Sequence, residues 1–312
     1  MKYSTRKKLF GFCLVLPWII GFVVFLLYPL SQTILYSFSS VTITPQGTET
    51  APVGFKNYTD VLFTDPDFTL GIPTFLRQMV FMVPMIVVFS LLFALLLNSH
   101  IRGQRIYRAI FFLPVILISG PVLERIRQVG ATNLPGVDSF FVFQFIYNQV
   151  PPVLSSPIQY IISNIVLIFW FSGVQVLIFL SGLQKVDNSL YEASMVDGAS
   201  AWQRFWKITI PVVKPFILLI AVYTVVDIAL SSLSPFTKVI QDGMFAPSKG
   251  FGFSSAASWL YFLFVLAALL LAFLVFGRKE KDPMRQKDKE RRRAARRAEK
   301  RHRQAQREGL GA

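Results

Sequence analysis

Residues 187–211 read DNSLYEASMVDGASAWQRFWKITIP, a polar, turn-bearing stretch set between two long apolar runs. Ser189 followed three residues later by Glu192 has the spacing of a capping box, so a short helix is predicted to start near Leu190. Asp197-Gly198 ends it, because glycine enters the left-handed conformation that stops a helix without steric cost. Ser200 and Gln203 repeat the capping spacing, and Pro211, which has no amide hydrogen to donate, closes a second short helix. The stretch is therefore read as a helix–turn–helix hairpin. Ala193, Ala199 and Ala201 allow another surface to come close, and Trp202, Phe205 and Trp206 supply apolar anchors. On these residues alone the hairpin either packs on neighbouring helices of its own chain or docks a second protein.

Outward from the hairpin the chain is apolar. Of 312 residues 53% are hydrophobic and 16% charged, yet 32 Lys and Arg against 17 Asp and Glu leave a net charge of +15. The excess sits at the ends: residues 2–8 hold four basic groups and 278–308 hold 15, whereas 9–277 hold 13 basic and 11 acidic groups. A nearly neutral, oily middle excludes a soluble nucleic-acid-binding domain and marks a membrane protein. Cys13 is the one cysteine, so there is no intrachain disulfide framework, and His100 and His302 stand apart without metal-ligand spacing.

A helix of about 20 uncharged residues crosses the roughly 30 Å hydrocarbon layer, because lipid gives the backbone no hydrogen-bond partners. Six spans are predicted, at about 9–38, 75–98, 106–123, 158–183, 214–236 and 251–277, with 187–211 between the fourth and fifth. The third contains Pro114 and Gly120-Pro121 and is short. The first has no small-residue cleavage site and is read as a retained helix. Basic residues are held on the cytoplasmic side, and with both termini inside, 26 of the 32 fall there. Six fall outside: Lys56, Arg77, Arg125, Arg127, Lys238 and Lys249. The fold class is thus an all-α membrane protein of six transmembrane helices, both termini cytoplasmic, with a cytoplasmic hairpin. The segments 39–74 and 124–157 read as turn-rich outer connections, and 278–312 as a basic cytoplasmic tail.

Glu192-Ala193, Asp197-Gly198-Ala199, Phe205, Ile208 and Ile210-Pro211 closely resemble the EAA loop of permease subunits of binding-protein-dependent ABC importers. The spacing and the position before the penultimate helix both match. Ser194 stands where the family usually has a second alanine, and Ile210 where leucine is usual. The resemblance implies coupling helices that sit in a cleft of a cytosolic ATPase subunit, with Glu192, Ala193, Asp197, Gly198, Ala199, Phe205 and Pro211 as the coupling residues. Leu16-Pro17-Trp18, Tyr28-Pro29-Leu30 and Val53-Gly54-Phe55-Lys56-Asn57-Tyr58 look like the sugar-importing branch. Residues 124–157 depart from that branch's pattern. Implied partners are the ABC ATPase subunits, which carry ATP-Mg, a second homologous permease subunit and an external solute-binding protein. The implied location is a bacterial or archaeal plasma (inner) membrane.

The sequence has no Gly-x-x-x-x-Gly-Lys-Ser/Thr phosphate loop, nucleophile elbow or serine–histidine arrangement. No catalytic residue, metal site or cofactor is assigned to this chain, and ATP hydrolysis is expected of a separate subunit. Polar groups inside spans are costly in lipid and face a partner helix or a path. Asn164, Gln175, Tyr223 and Asp227 are the candidate substrate-path residues, Asn164 in the outer half and Gln175 nearer the cytoplasm. The other reading is hydrogen bonding between helices, or an Asp227 pair with a partner subunit.

The basic tail is read as lying on anionic lipid, with ATPase contact as an alternative and nucleic acid not expected, since no aromatic is interleaved for base stacking. The expected function is a permease subunit moving a sugar or oligosaccharide inward by alternating access. Polyamines, phosphate esters or peptides are other cargoes the hairpin permits, and a non-transport membrane scaffold is the reading outside transport.

Overall fold

The structure, a computed structural model, describes residues 3–44, 47–99 and 149–277 together with single positions between 106 and 144. The expected third span, most of 124–157 and the basic tail lie outside the described residues. Among those described, four helical runs are long and apolar enough to cross a membrane: Phe10–Ser37, Pro66–Asn98, Ala201–Phe245 and Gly250–Phe276. The pair Pro152–Ser163 and Ile165–Phe171, bent by 58°, makes a fifth if taken as one span.

The prolines do less to the helices than the sequence suggests. Turns of π-helix occupy Val23–Leu27, Gln78–Met82 and Phe205–Thr209, and each ends two residues before a proline: Pro29, Pro84 and Pro211. A proline ring clashes with the carbonyl four residues back and supplies no amide. Widening the preceding turn moves that carbonyl away, and the residue before the proline bonds five back instead: Tyr28 N–H to Val23 O and Ile210 N–H to Phe205 O. Pro211 therefore does not close the second hairpin helix. The backbone runs on through it into Ile210–Leu230.

Helix limits do not coincide with the apolar runs. The helix leading into the expected second span begins at Pro66, inside the stretch read as an outer connection, where Asp65 caps it by accepting from the Phe68 amide at 2.9 Å. Its helices Pro66–Arg77 and Val83–Asn98 are joined by the π turn at 78–82. The fourth span is not one rod; helices Pro152–Ser163, Ile165–Phe171 and Gly173–Leu183 meet at Asn164 and Ser172. The fifth ends at Leu230, because Ser231 turns extended (ψ 153°), and Phe236 belongs to a separate helix, Pro235–Phe245. Nor is the chain purely α: Ser39–Thr44 and Gly47–Pro52 form an antiparallel hairpin in which Ser39 faces Pro52 and Thr44 faces Gly47.

Helices Val83–Asn98, Gly173–Leu183 and Ile210–Leu230 pack on one another, and Gly250–Phe276 packs on Ile210–Leu230, Pro235–Phe245 and Tyr28–Ser37. Toward the β-hairpin end, fully buried Phe236 is ringed by Phe68, Tyr261, Phe75 and Phe264 at centroid distances of 4.7, 4.8, 5.7 and 5.9 Å. The Tyr261 hydroxyl donates to Ala229 O at 2.6 Å, which satisfies one of the free carbonyls where the 210–230 helix stops. Val53–Tyr58 forms a seam at the same end. Asn57 Nδ2 donates to Ser37 O (3.0 Å) and Ser39 O (2.9 Å), and Tyr58 Oη donates to Ser37 Oγ (2.8 Å). Gly252 lies against that seam so closely that a Cβ would stand 2.1 Å from Ser39 O.

The first span behaves differently. None of its most apolar window is buried, Trp18 and Phe25 are 81% and 82% exposed, and among the described residues its last helix, Tyr28–Ser37, makes the main contact with the body. A helix so apolar and so bare is stable only in lipid or against another chain.

Candidate functional site

The hairpin lies at the end of the bundle opposite the β strands, between Leu183 and Ile210. Its first helix runs Asn188–Val196, with Asp187 as N-cap: the Asp187 carboxylate accepts from the Ser189 amide at 3.0 Å. The Ser189–Glu192 capping box is not formed, because Asp187 already occupies the capping place in extended geometry (φ −67°, ψ 128°). The Ser189 amide holds the Asp187 carboxyl below the usual carboxylate range. The helix ends in two backbone bonds, Gly198 N–H to Met195 O (3.0 Å) and Ala199 N–H to Ser194 O (2.9 Å), with Gly198 at φ +75°. This is the Schellman geometry, in which a residue with a Cβ would be strained.

Ser200 and Gln203 form a reciprocal capping box: Gln203 N–H donates to Ser200 Oγ (3.3 Å) and Ser200 N–H to Gln203 Oε1 (2.9 Å). The second helix, Ala201–Arg204, passes through the π turn into the 210–230 helix without a break. Glu192, Ala193, Asp197, Gly198 and Pro211 are exposed, and Ala199 and Phe205 are half-buried. Leu190, Met195, Val196, Trp202 and Trp206 are at least 50% exposed, an apolar surface unlike that of a finished soluble loop. Trp202, Phe205 and Trp206 rings contact one another at 5.2–6.2 Å.

One residue that spacing does not reveal ties the hairpin to the bundle. The Tyr191 hydroxyl hydrogen-bonds Thr209 Oγ1 at 2.8 Å, joining the first hairpin helix to the buried side of the π turn that leads into the 210–230 helix. The hairpin is thus joined to the 210–230 helix in two ways, by the continuous backbone at 201–210 and by this side-chain bond.

Inside the bundle the structure brings together three of the four candidate path residues. Gln175, fully buried on Gly173–Leu183, donates its Nε2 to Thr224 Oγ1 on Ile210–Leu230 at 3.2 Å, one turn before Asp227. Thr224 donates in turn to Ile220 O at 2.8 Å. Tyr223, 37% exposed, lies one turn before half-buried Asp227. Asp227 occupies the last turn before the helix breaks at Ser231, next to the free carbonyls, where the helix dipole disfavours an anion. A carboxylate in such a place is costly to keep in a membrane chain.

Asn164 is not part of this group. Its Nδ2 donates to Tyr160 O at 2.8 Å and stabilises the bend between Pro152–Ser163 and Ile165–Phe171. Gln175 is joined to the Asp227 helix through Thr224. Thr224 belongs to the cluster and escapes a search for strongly polar side chains, since threonine is common in membrane helices. Among the described residues no group of three or more His, Cys, Asp or Glu side chains could hold a metal ion.

Comparison with known proteins fits this arrangement. Residues 67–278 match the family described as binding-protein-dependent transport system inner membrane component. A probable ABC transporter permease protein of Bacillus subtilis, YesP, is 30% identical over 292 residues, covering 86% of this chain and 91% of that protein. The multiple sugar-binding transport system permease protein MsmF of Streptococcus mutans is 29% identical over 218 residues, 70% of this chain and 73% of MsmF. The arabinooligosaccharides transport system permease protein AraP of Halalkalibacterium halodurans is 30% identical over 236 residues, 72% of this chain and 69% of AraP. Among solved structures, a chain of a bacterial ABC transporter involved in alginate import has the same fold, with a TM-score of 0.61 at 20% identity over 89% of this chain and 98% of that one. A family match across more than half its length, on a helical bundle carrying the exposed 188–204 hairpin, means that this chain belongs to the binding-protein-dependent transport system inner membrane components, the permease subunits of ABC importers.

Proposed function

We propose that the chain is one membrane-spanning subunit of an ATP-driven importer for a sugar or oligosaccharide, working by alternating access. The carrying observation is the exposed hairpin at 188–204, with its left-handed turn at Gly198, continuous with a bundle helix that holds the polar group Gln175–Thr224–Asp227. The cargo class is supported by relatives whose names specify sugars or arabinooligosaccharides. In this reading both termini are cytoplasmic, the six spans include 106–123, and ATPase subunits that bind ATP-Mg take Glu192, Ala193, Asp197, Gly198, Ala199 and Phe205 into a cleft. Their closure pushes the hairpin, and the 210–230 helix moves with it.

A solute-binding protein delivers cargo at the β-hairpin end; a distant structural relative is described in complex with a periplasmic protein bound to alginate pentasaccharide. The bare first span supplies surface for a second, homologous permease subunit or for lipid. Asp227 and Tyr223 offer an acceptor, a donor and a ring face to solute hydroxyls. Gln175, too buried to meet solute, fixes Thr224 one turn before Asp227.

Expression with the neighbouring transport genes, followed by uptake of labelled oligosaccharides, tests this function. ATP-dependent uptake and co-purification of an ATPase and a second permease are expected. Asp227→Asn is expected to lower uptake while the complex still assembles. Absence of both partners would favour a membrane scaffold instead.

A further inference from the structure

The β-hairpin end carries an ion pair that the transport reading does not use. Lys249 Nζ pairs with Asp65, whose side chain is only 3% exposed, and also lies 4.9 Å over the Phe253 ring. The two residues are 184 positions apart. Asp65 caps the helix that opens the second span, and its other oxygen already accepts from the Phe68 amide. Lys249 is the N-cap residue of Gly250–Phe276, the last span. One contact therefore pins the starts of two spans to each other.

A buried carboxylate left without its cation is costly. The pair can separate only if something else answers the charge. The means stand beside it: a cavity of about 600 Å³ lined by Lys56, Asp60, Asp65, Asp67, Lys249 and Phe253, among others. Lys56 is exposed, stands on a different segment and lines the same cavity as Asp65.

We propose that Asp65 is the fixed centre of a charge-exchange latch: Lys249 holds it in the conformation seen here, and Lys56 replaces Lys249 when the starts of the second and last spans separate. Asp60 and Asp67, in the same cavity, offer the released Lys249 ammonium a place beside a carboxylate. The exchange keeps the buried charge answered throughout, so the β-hairpin end has two settled arrangements. The latch rests on the transport reading, because it assigns the separation to the transport cycle.

Its test is a crosslink in the assembled transporter, with Cys13→Ser as background. Asp65→Cys with Lys249→Cys is joined by oxidation or a short bifunctional thiol reagent. The reduced variant is expected to retain uptake, and the crosslinked one to lose at least nine-tenths of it, recovering on cleavage of the link. Asp65→Cys with Lys56→Cys is expected to crosslink only during turnover with ATP, solute and binding protein. Full uptake by the crosslinked Asp65→Cys/Lys249→Cys variant, failure of that pair to crosslink in any condition, or Lys56 crosslinking that ignores turnover would each overturn the latch. A milder variant guards against misfolding: Asp65→Asn keeps the helix cap and is expected to raise the salt sensitivity of uptake less than Lys249→Met, which leaves the buried carboxylate to exposed Lys56 alone; equal effects count against the exchange. Uptake by the unmodified parent separates the two readings, since its absence would instead refute transport itself.

Discussion

Gly252→Ala is a single methyl group placed where the structure has no room for it. The new Cβ would stand 2.1 Å from Ser39 O, 2.9 Å from Asn57 Nδ2 and 3.2 Å from Tyr36 O. Carbon–oxygen contacts settle at about 3.3 Å or more, so the Ser39 carbonyl has to retreat by about 1 Å. That carbonyl is backbone and cannot rotate aside. Its retreat also pulls it from Asn57, whose amide bridges Ser37 O and Ser39 O at 3.0 and 2.9 Å. Two hydrogen bonds at about 1 kcal/mol each and about 1–3 kcal/mol of overpacking give a loss of about 3–5 kcal/mol. For a chain of this size that corresponds to a fall in melting temperature on the order of 10 °C. The assay is thermal unfolding of the full-length protein in lipid nanodiscs, with Asn57→Ala and the double variant completing a cycle. The double variant is expected to be less destabilised than the sum of the singles, because both remove the same bonds. A melting temperature for Gly252→Ala within 2–3 °C of the parent, on the same scale, would refute the close approach of the last span to the seam.

Three further substitutions probe the rest of the molecule. Gln175→Leu removes the bond to Thr224, an interhelical contact of about 0.6 kcal/mol on average in membranes, and with it an oxygen, Oε1, that has no hydrogen-bond partner among the described residues. Stability is expected to change by less than about 1 kcal/mol while uptake falls several-fold as Asp227 loses its support; strong destabilisation with normal uptake would make Gln175 purely structural. Tyr191→Phe deletes the 2.8 Å bond to Thr209 and is expected to weaken the link between ATP hydrolysis and uptake, seen as fewer solutes moved per ATP, with the complex still assembled. Gly182→Ala puts a Cβ 2.9 Å from the Phe216 ring and is expected to cost about 1–3 kcal/mol, recovered in part by Phe216→Leu; no recovery would mean that the ring is not the obstacle.

The hairpin was legible in sequence because its determinants are local. Gly198 and the Ser200–Gln203 pair specify their geometry within a few residues, and the structure shows that geometry. Ser189 and Asp187 compete for one capping role, and spacing alone does not say that Asp187 takes it. Pro211 misleads for a related reason: its effect depends on whether the preceding turn can widen, and the widening at Phe205–Thr209 is a property of the whole helix entering the bundle. Membrane helices are legible as apolar runs, but their breaks are not. At the breaks, the Asn164 side chain turns back on Tyr160 O, and Tyr261, 32 residues beyond Ala229, meets the carbonyl left free where the helix stops. The polar cluster divides in the same way. Asp227 is conspicuous in any hydropathy reading, whereas Thr224 and the supporting place of Gln175 emerge only when two helices are packed.

The direct test of coupling is Gly198→Pro in the reconstituted importer. Proline needs φ near −65° and lacks the amide that donates to Met195 O, so it cannot occupy a position at φ +75°. ATPase activity in proteoliposomes, with and without solute-loaded binding protein, is the measurement. The ATPase is expected to remain bound, basal hydrolysis to persist, and stimulation by the loaded binding protein to fall at least tenfold, with uptake lost in parallel. Normal stimulation and normal uptake in Gly198→Pro would show that the hairpin does not transmit ATPase closure to the membrane helices.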